Sequence, residues 1–149
     1  MERRLAVRGI IYEKGKIFAV RLKPYRHTDS LTYFCTPGGG LDPHEAFIPA
    51  LKREILEEVG VAAFIGRLLF VQQFVHKEQE QIEFFFHIEN TEDFKEIDLA
   101  KTSHGVEEIA EYGFYNPNEI TLLPKFLSEI NIGDHIAGNL PTQFFDYLL

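Results

Sequence analysis

The sequence predicts an α/β sandwich built on a mixed β-sheet. Apolar runs of strand length flank one amphipathic helical stretch, Phe47 to Val59. Strand, helix and strand in that order are the pattern of an α/β arrangement. The 149 residues are enough for one domain with a real core, and they show no internal repeat and no linker. A single domain over residues 1–149 is therefore expected.

Leu5 to Ile11 is mostly apolar, Glu13-Lys14-Gly15-Lys16 reads as a turn, and Ile17 to Leu22 is a second apolar run, so this pair predicts a hairpin. Lys23 to Ser30 is polar, contains Pro24 and reads as a loop. Leu31 to Cys35 is a short strand-like run that ends at Pro37-Gly38-Gly39-Gly40. Consecutive glycines permit close approach of a ligand to the backbone. In the helix, Pro49 is tolerable only in the first turn and so places the start. Ala50, Leu51, Ile55 and Val59 form its buried face, and Gly60 suits the C-terminal cap.

Val61 to Val75 and Gln81 to Glu89 are two further strand regions about the polar turn Lys77-Glu78-Gln79-Glu80. Thr91 to Ala110 is acidic and loop-like, and Tyr112 to Tyr115 reads as a short aromatic strand. Pro117-Asn118-Glu119-Ile120 reads as a helix start, with the tail to Leu149 helical in part.

A hydrophobic fraction of 45% and a charged fraction of 26% are ordinary for a soluble globular protein. No apolar run approaches the length of a membrane span. The N-terminal residues carry basic side chains but no long apolar segment of a secretory signal. Cys35 is the lone cysteine, which excludes an intramolecular disulfide and makes a reducing cytoplasm the simple expectation; core packing is its expected role. The net charge of −8, from 15 basic and 23 acidic residues, argues against a nucleic-acid partner. It leaves a small polyphosphate open, because bound cations can reverse the field at a carboxylate-rich site. The expected partner is a small molecule, with neither nucleic acid nor membrane, and a homodimer stays among the assembly options.

Arg53, Glu54, Glu57 and Glu58 fall at helical spacing, where residues three and four apart share a face. Carboxylates that close repel unless a cation sits among them, and a hard divalent ion such as Mg²⁺ takes oxygen ligands. A bare acidic helix face is usually just solvated. Here the surroundings match G-x5-E-x7-R-E-U-x-E-E-x-G-U, with U aliphatic, at Gly39, Glu45, Arg53, Glu54, Ile55, Glu57, Glu58, Gly60 and Val61 without exception. A chance match in a chain this long is on the order of one in ten million at average residue usage.

The stretch Gly39 to Val61 is identified as a Nudix box, and the chain resembles the Nudix hydrolase superfamily. The preceding Pro37-Gly38-Gly39 also resembles the family's lead-in to the box. One departure is His44, where many members carry Gly; that position is not fixed in the pattern and bears on loop conformation. The resemblance implies a Nudix-fold α/β/α sandwich with a mixed β-sheet. It also implies metal-dependent hydrolysis of the diphosphate linkage in a nucleoside diphosphate joined to another group. Glu57 and Glu58, with the carbonyl of Gly39, would hold Mg²⁺ or Mn²⁺, and Glu54 would be a further ligand or the base. Arg53 would hold a glutamate in position, and Glu45 would stabilise the loop-and-helix geometry near the helix N-terminus. A later carboxylate often completes such a site. Glu107, Glu108 and Glu111 precede the aromatic strand, with Glu108 and Glu111 the preferred second-site ligand or base.

Arg21, with Lys23, flanks the route to the site and could contact a substrate phosphate, since guanidinium matches phosphate geometry. Tyr33, Phe34, Tyr112 and Phe114 could stack on a base, although 14 Phe and 6 Tyr in one domain are mostly core. His76, His87 and His104 show no metal-ligand spacing. The alternative reading is a Nudix-fold nucleotide sensor without catalysis, which an intact box disfavours; an isoprenoid diphosphate isomerase would want more than one Cys. Some family branches carry a Pro or a Tyr after the box where this chain has His76-Lys77-Glu78-Gln79. That disfavours the ADP-ribose and dinucleoside-polyphosphate branches and leaves nucleoside triphosphates and nucleotide sugars.

Overall fold

The computed structural model describes residues 2–24, 31–138 and 140–147. Most of the expected loop from Lys23 to Ser30 lies outside the described residues. The elements that position the site are β1 (Arg3–Ile10), β2 (Tyr12–Glu13), β3 (Lys16–Leu22), β4 (Phe34–Cys35), β5 (Gly38–Gly40) and α1 (Phe47–Val59). They are followed by β6 (Ile65–His76), β7 (Gln79–Ile88), α2 (Gly105–Glu108), β8 (Ile109–Tyr115), β9 (Leu122–Leu123), α3 (Ile132–Ala137) and β10 (Gln143–Asp146).

Two mixed sheets form. The larger runs β10-β6-β7-β1-β5, and the smaller runs β2-β3-β4-β9 with β8 also on β3. In the larger sheet β1 is parallel to β7 and antiparallel to β5, which makes the glycine strand an edge. The N-terminal segment is therefore more than one hairpin. The tight turn at Lys14 and Gly15, both at positive φ, joins β2 to β3, while β1 enters the other sheet. The second tight turn is shorter than expected. Lys77 and Glu78 take positive φ, and Gln79 and Glu80 already belong to β7.

The core has two parts. On one side, Leu51 and Ile55 of α1 pack with Val7, Phe86 and Ile88. On the other, Phe70 and Phe85 meet Phe126 edge-on, with centroids 5.4 and 5.6 Å apart, beside Ile17 and Ala19. Aromatic pairs favour this geometry because the ring edge is positive and the face negative.

Several expected bounds move. Residues 61–64 precede β6 and are not strand. Of Leu31 to Cys35, only Phe34–Cys35 is extended in a sheet. The acidic Thr91 to Ala110 segment holds two 3₁₀ turns, α2 and the first residues of β8. Pro117 to Ile120 starts no helix. The Asn116 carbonyl accepts from the Glu119 N–H at 2.9 Å and its side chain from the Asn118 N–H at 3.0 Å, which closes a turn instead. The tail contains α3, as expected in part, and also β10, which pairs parallel with β6. Among the described residues, no helix is long and apolar enough to cross a membrane.

Candidate active site

Helix α1 runs over the expected span, and the Gly60 cap adopts φ 75° and donates to the Leu56 carbonyl at 3.0 Å. With Ala50, Leu51, Ile55 and Val59 buried, the remaining face carries Arg53, Glu54 and Glu57, with Glu58 at the boundary and itself buried. The N-cap Ala46 has no side chain able to cap. Arg53 instead reaches back to Glu45, donating Nε to Oε2 at 2.8 Å and Nη2 to Oε1 at 2.9 Å. Glu45 in turn accepts the Asp42 N–H at 2.9 Å, which fastens the loop before the helix. The Arg53 hydrogen bonds, then that N–H, hold the Glu45 carboxyl down at about 2. Arg53 Nη1 lies 3.2 Å from both Glu54 Oε1 and Glu57 Oε2. One guanidinium therefore spans three box glutamates.

The carboxylate of Glu54 lies against Gly39, where an added Cβ would fall 2.6 Å from the Glu54 carboxyl carbon. Glycine is required there for the acid to approach the backbone. Burial raises the Glu54 carboxyl above its ordinary value. Burial also pushes Glu58 up to about 8, against the opposing pull of Arg8 and of the Gly38 N–H that it accepts.

The segment before β8 docks on the C-terminal end of α1. The His104 N–H donates to the Glu57 carbonyl at 3.0 Å, and its Nδ1 lies 3.8 Å from Glu57 Oε2. A Cβ on Gly105 would sit 2.3 Å from the Glu58 carbonyl oxygen, so only glycine permits this docking. Glu108 consequently comes near enough to Glu58 to raise its carboxyl further. Glu111 faces elsewhere. It sits opposite Arg21 in the β3–β8 ladder and accepts from Arg21 Nη2 at 3.2 Å. Two candidates thus engage each other, and Glu107 is exposed. Lys23 donates through Nζ to the Val106 carbonyl.

Tyr33 and His76 line a cavity of about 330 Å³, with Cys35 in its wall. Burial raises the Cys35 thiol. Phe34 packs on Tyr115 with centroids 4.7 Å apart, Phe114 packs on Phe18 at 5.5 Å, and Tyr112 donates to the Ile97 carbonyl at 3.1 Å. Burial lowers His87.

The sequence reading passed over the polar face of the larger sheet. Arg8 Nε donates to Glu83 Oε2 at 2.9 Å, and Gln72 Nε2 donates to Glu83 Oε1 at 2.9 Å. Arg8 Nη1 also donates to the carbonyls of Thr36 and Gly38, both at 3.3 Å, and so braces the chain on either side of Pro37. Burial is the largest single influence on Arg8 and disfavours its charge, but Glu83, by charge and hydrogen bond, together with Cys35 and Glu58 makes the net shift upward. A signal was present: Arg4 and Arg8 recur on one face of a strand whose residues 5–7 and 9–10 carry no charge.

Among the described residues, no three His, Cys, Asp or Glu side chains converge closely enough to hold a metal by themselves. The donors at hand are nonetheless oxygens: Glu54 in its glycine cradle and the buried Glu58. Such donors suit a hard divalent cation, which would also offset the cost of burying Glu58 as a carboxylate. The residues fit the ion on that chemistry, and Glu57 shares the Arg53 guanidinium with Glu54.

The NUDIX domain family model matches residues 2–132. The chain belongs to this family and is, by class, a Nudix pyrophosphohydrolase. Among solved structures it is similar to the E. coli ORF135 protein, with 22% identity over 92% of this chain and 94% of that one and a TM-score of 0.69. It is also similar to a MutT protein from Methanosarcina mazei Go1, with 20% identity over 94% and 97% and a TM-score of 0.68. An ADP-ribose pyrophosphatase from Streptococcus suis 89-1591 shares 16% identity over 95% and 98%, with a TM-score of 0.61. At these identities the likeness is one of fold. No curated protein matches the chain.

Proposed function

We propose that the protein hydrolyses the diphosphate linkage of a nucleoside diphosphate joined to another group, such as a nucleoside triphosphate or a nucleotide sugar, with Mg²⁺ or Mn²⁺. The observation that carries this reading is the pair Glu54 and Glu58 set against the glycine strand, with Arg53 tying Glu45, Glu54 and Glu57 together. Glu57, Glu58 and the Gly39 carbonyl would hold the cation, with Glu54 a further ligand or the base. When bound, the ion supplies positive charge to the diphosphate oxygens as the bond breaks.

The remaining chemistry belongs to the chain's own groups. Glu54, raised by burial, is the favoured acceptor of the proton that water loses. Glu108 is the second candidate for that proton, since it lies on the segment docked over Glu58. Arg53 restrains the glutamates, so little reorganisation is required on reaction.

The test is a screen of nucleoside triphosphates, nucleotide sugars and ADP-ribose with Mg²⁺ and Mn²⁺, each product identified by mass. Cleavage of a diphosphate linkage in at least one is expected. Binding of nucleotides with no cleavage of any would replace the hydrolase reading with a sensor.

A further inference from the structure

Strand β5 has no side chains, and it is the edge of its sheet. Glycine gives up more backbone freedom on folding than any other residue, so other groups must fix these three. A Cβ on Gly39 would meet the Glu54 carboxyl, and a Cβ on Gly40 would stand 3.2 Å from Arg4 Nη2. Side chains of other elements thus press on both faces of the bare strand, and the Gly39 carbonyl assigned to the cation belongs to it.

Arg8 supplies an anchor for the chain that leads into this strand. Its Nη1 donates to the carbonyls of Thr36 and Gly38, both at 3.3 Å. The N–H of the next residue, Gly9, donates to the Pro37 carbonyl at 2.8 Å. Successive carbonyls from Thr36 to Gly38 are therefore held from one point of β1, immediately before that of Gly39. Gly38 is held at its other end as well, since its N–H donates to the Glu58 carboxylate. One glycine thereby links Arg8 to Glu58 through its two backbone groups.

The guanidinium is itself fixed. Glu83 accepts its Nε at 2.9 Å, and Gln72 Nε2 donates to the other carboxylate oxygen at 2.9 Å. Glu83 and Gln72 are buried, and the Arg8 side chain is 18% exposed. A buried ion pair is a weak source of stability, because apolar residues of similar volume often serve as well. A satisfied buried network instead rigidifies what it touches, and this one touches the entry to the glycine strand. The Arg8 charge also reaches Glu54 and Glu58, where it opposes the burial that raises both carboxyls.

We propose that Arg8 is a positioning residue of the ion site: held by Glu83 and Gln72, it fixes the backbone from Thr36 to Gly38 and so sets where Glu58 and the Gly39 carbonyl stand for the cation. This rests on the metal assignment within the hydrolase reading.

The test measures Mn²⁺ affinity from the electron paramagnetic resonance of free Mn²⁺, counting as site binding the part that Glu58→Gln removes. Wild type, Arg8→Lys, the double variant Arg8→Met with Glu83→Leu, and Arg3→Gln are compared, with thermal melting and metal-free amide exchange alongside. Lysine keeps a charge against Glu83 but lacks the planar fork. The double variant removes the ion pair without leaving Glu83 unpaired, so it should melt close to wild type. Both should lose at least about tenfold in Mn²⁺ affinity, the size known for groups that orient metal ligands. In both, the Gly9 and Gly38 amides should exchange faster while those of β6 and β7 keep their rates. Arg3 is 61% exposed in its pair with Glu80, and Arg3→Gln should alter neither readout. Wild-type affinity in Arg8→Lys overturns the proposal, since a charge alone would then suffice. It is also overturned by wild-type affinity in the folded double variant, by a loss shared with Arg3→Gln, by a loss accompanied by faster exchange throughout β6 and β7, or by a wild type with no Mn²⁺ binding that Glu58→Gln removes. Hydrolysis of the nucleotide screen is followed separately. Arg8-dependent Mn²⁺ affinity without hydrolysis of any compound removes the hydrolase reading and keeps Arg8. Hydrolysis with wild-type Mn²⁺ affinity in Arg8→Lys does the reverse.

Discussion

Arg53 grips Glu45 through two parallel hydrogen bonds, Nε to Oε2 at 2.8 Å and Nη2 to Oε1 at 2.9 Å. The pair closes the loop ahead of α1 onto the helix that carries the acidic site. Bidentate guanidinium–carboxylate pairs fix orientation as well as distance.

This grip predicts an acid-sensitive loop. The Glu45 carboxyl is held at about 2, below its value in an unfolded chain. A depressed carboxyl contributes stability that is complete above the unfolded value and is lost as pH falls through the folded one. The melting temperature of wild type should therefore fall more steeply between about pH 4.3 and 2 than that of Glu45→Gln, which should start lower at neutral pH. Parallel melting curves across that window would remove the clamp.

Gly39→Ala should damage catalysis more than stability. Its Cβ would intrude on the Glu54 carboxyl, whose flexible side chain can swing away at small cost to the fold. The displaced acid should cost about a hundredfold in kcat, a size known for misplacement by about 1 Å. An alanine variant with normal kcat would show that the contact with Glu54 has no role in turnover.

Glu57→Gln and Glu58→Gln should each lower kcat by at least about a hundredfold with the fold intact, typical of losing one electrostatic stabiliser. Excess chelator should abolish wild-type turnover, and Mg²⁺ or Mn²⁺ should restore it. Near-normal rates in both variants, or full turnover in chelator, would dismiss the metal assignment.

The identity of the base is read from pH–rate profiles of Glu54→Gln, Glu108→Gln and Glu111→Gln. Glu54→Gln should lose most of kcat and the acid limb while metal affinity changes little. Glu111→Gln should keep both, because that carboxylate is spent on Arg21 at the ladder between β3 and β8. Loss of the acid limb in Glu108→Gln alone would move the base to the docked segment.

His44 should gain from replacement by glycine. It is exposed and sits at φ 63°, a conformation that costs a side chain about 1–2 kcal/mol. The greater entropy of unfolded glycine offsets about 0.5–1 kcal/mol of that. His44→Gly should thus stabilise by up to about 1.5 kcal/mol, read as a higher denaturant midpoint at unchanged slope. A lower midpoint would mean that the His44 side chain makes a stabilising contact.

The sequence by itself determined α1 and the acidic box upon it. Helical period, a proline confined to the first turn and a glycine cap are local signals, and the observed Phe47–Val59 has the expected ends. The Arg53–Glu57 contact was legible for the same reason, being four residues apart on one helix. Only the tertiary structure decided that Arg21 meets Glu111 and that Arg8 meets Glu83, because those pairs depend on strand register between segments 90 and 75 residues apart. It also decided that Arg4 and Glu54 flank one bare strand. A pleat sends successive residues to opposite faces, but which strand lies beside β5, and what each face meets, is set by packing of the whole sheet.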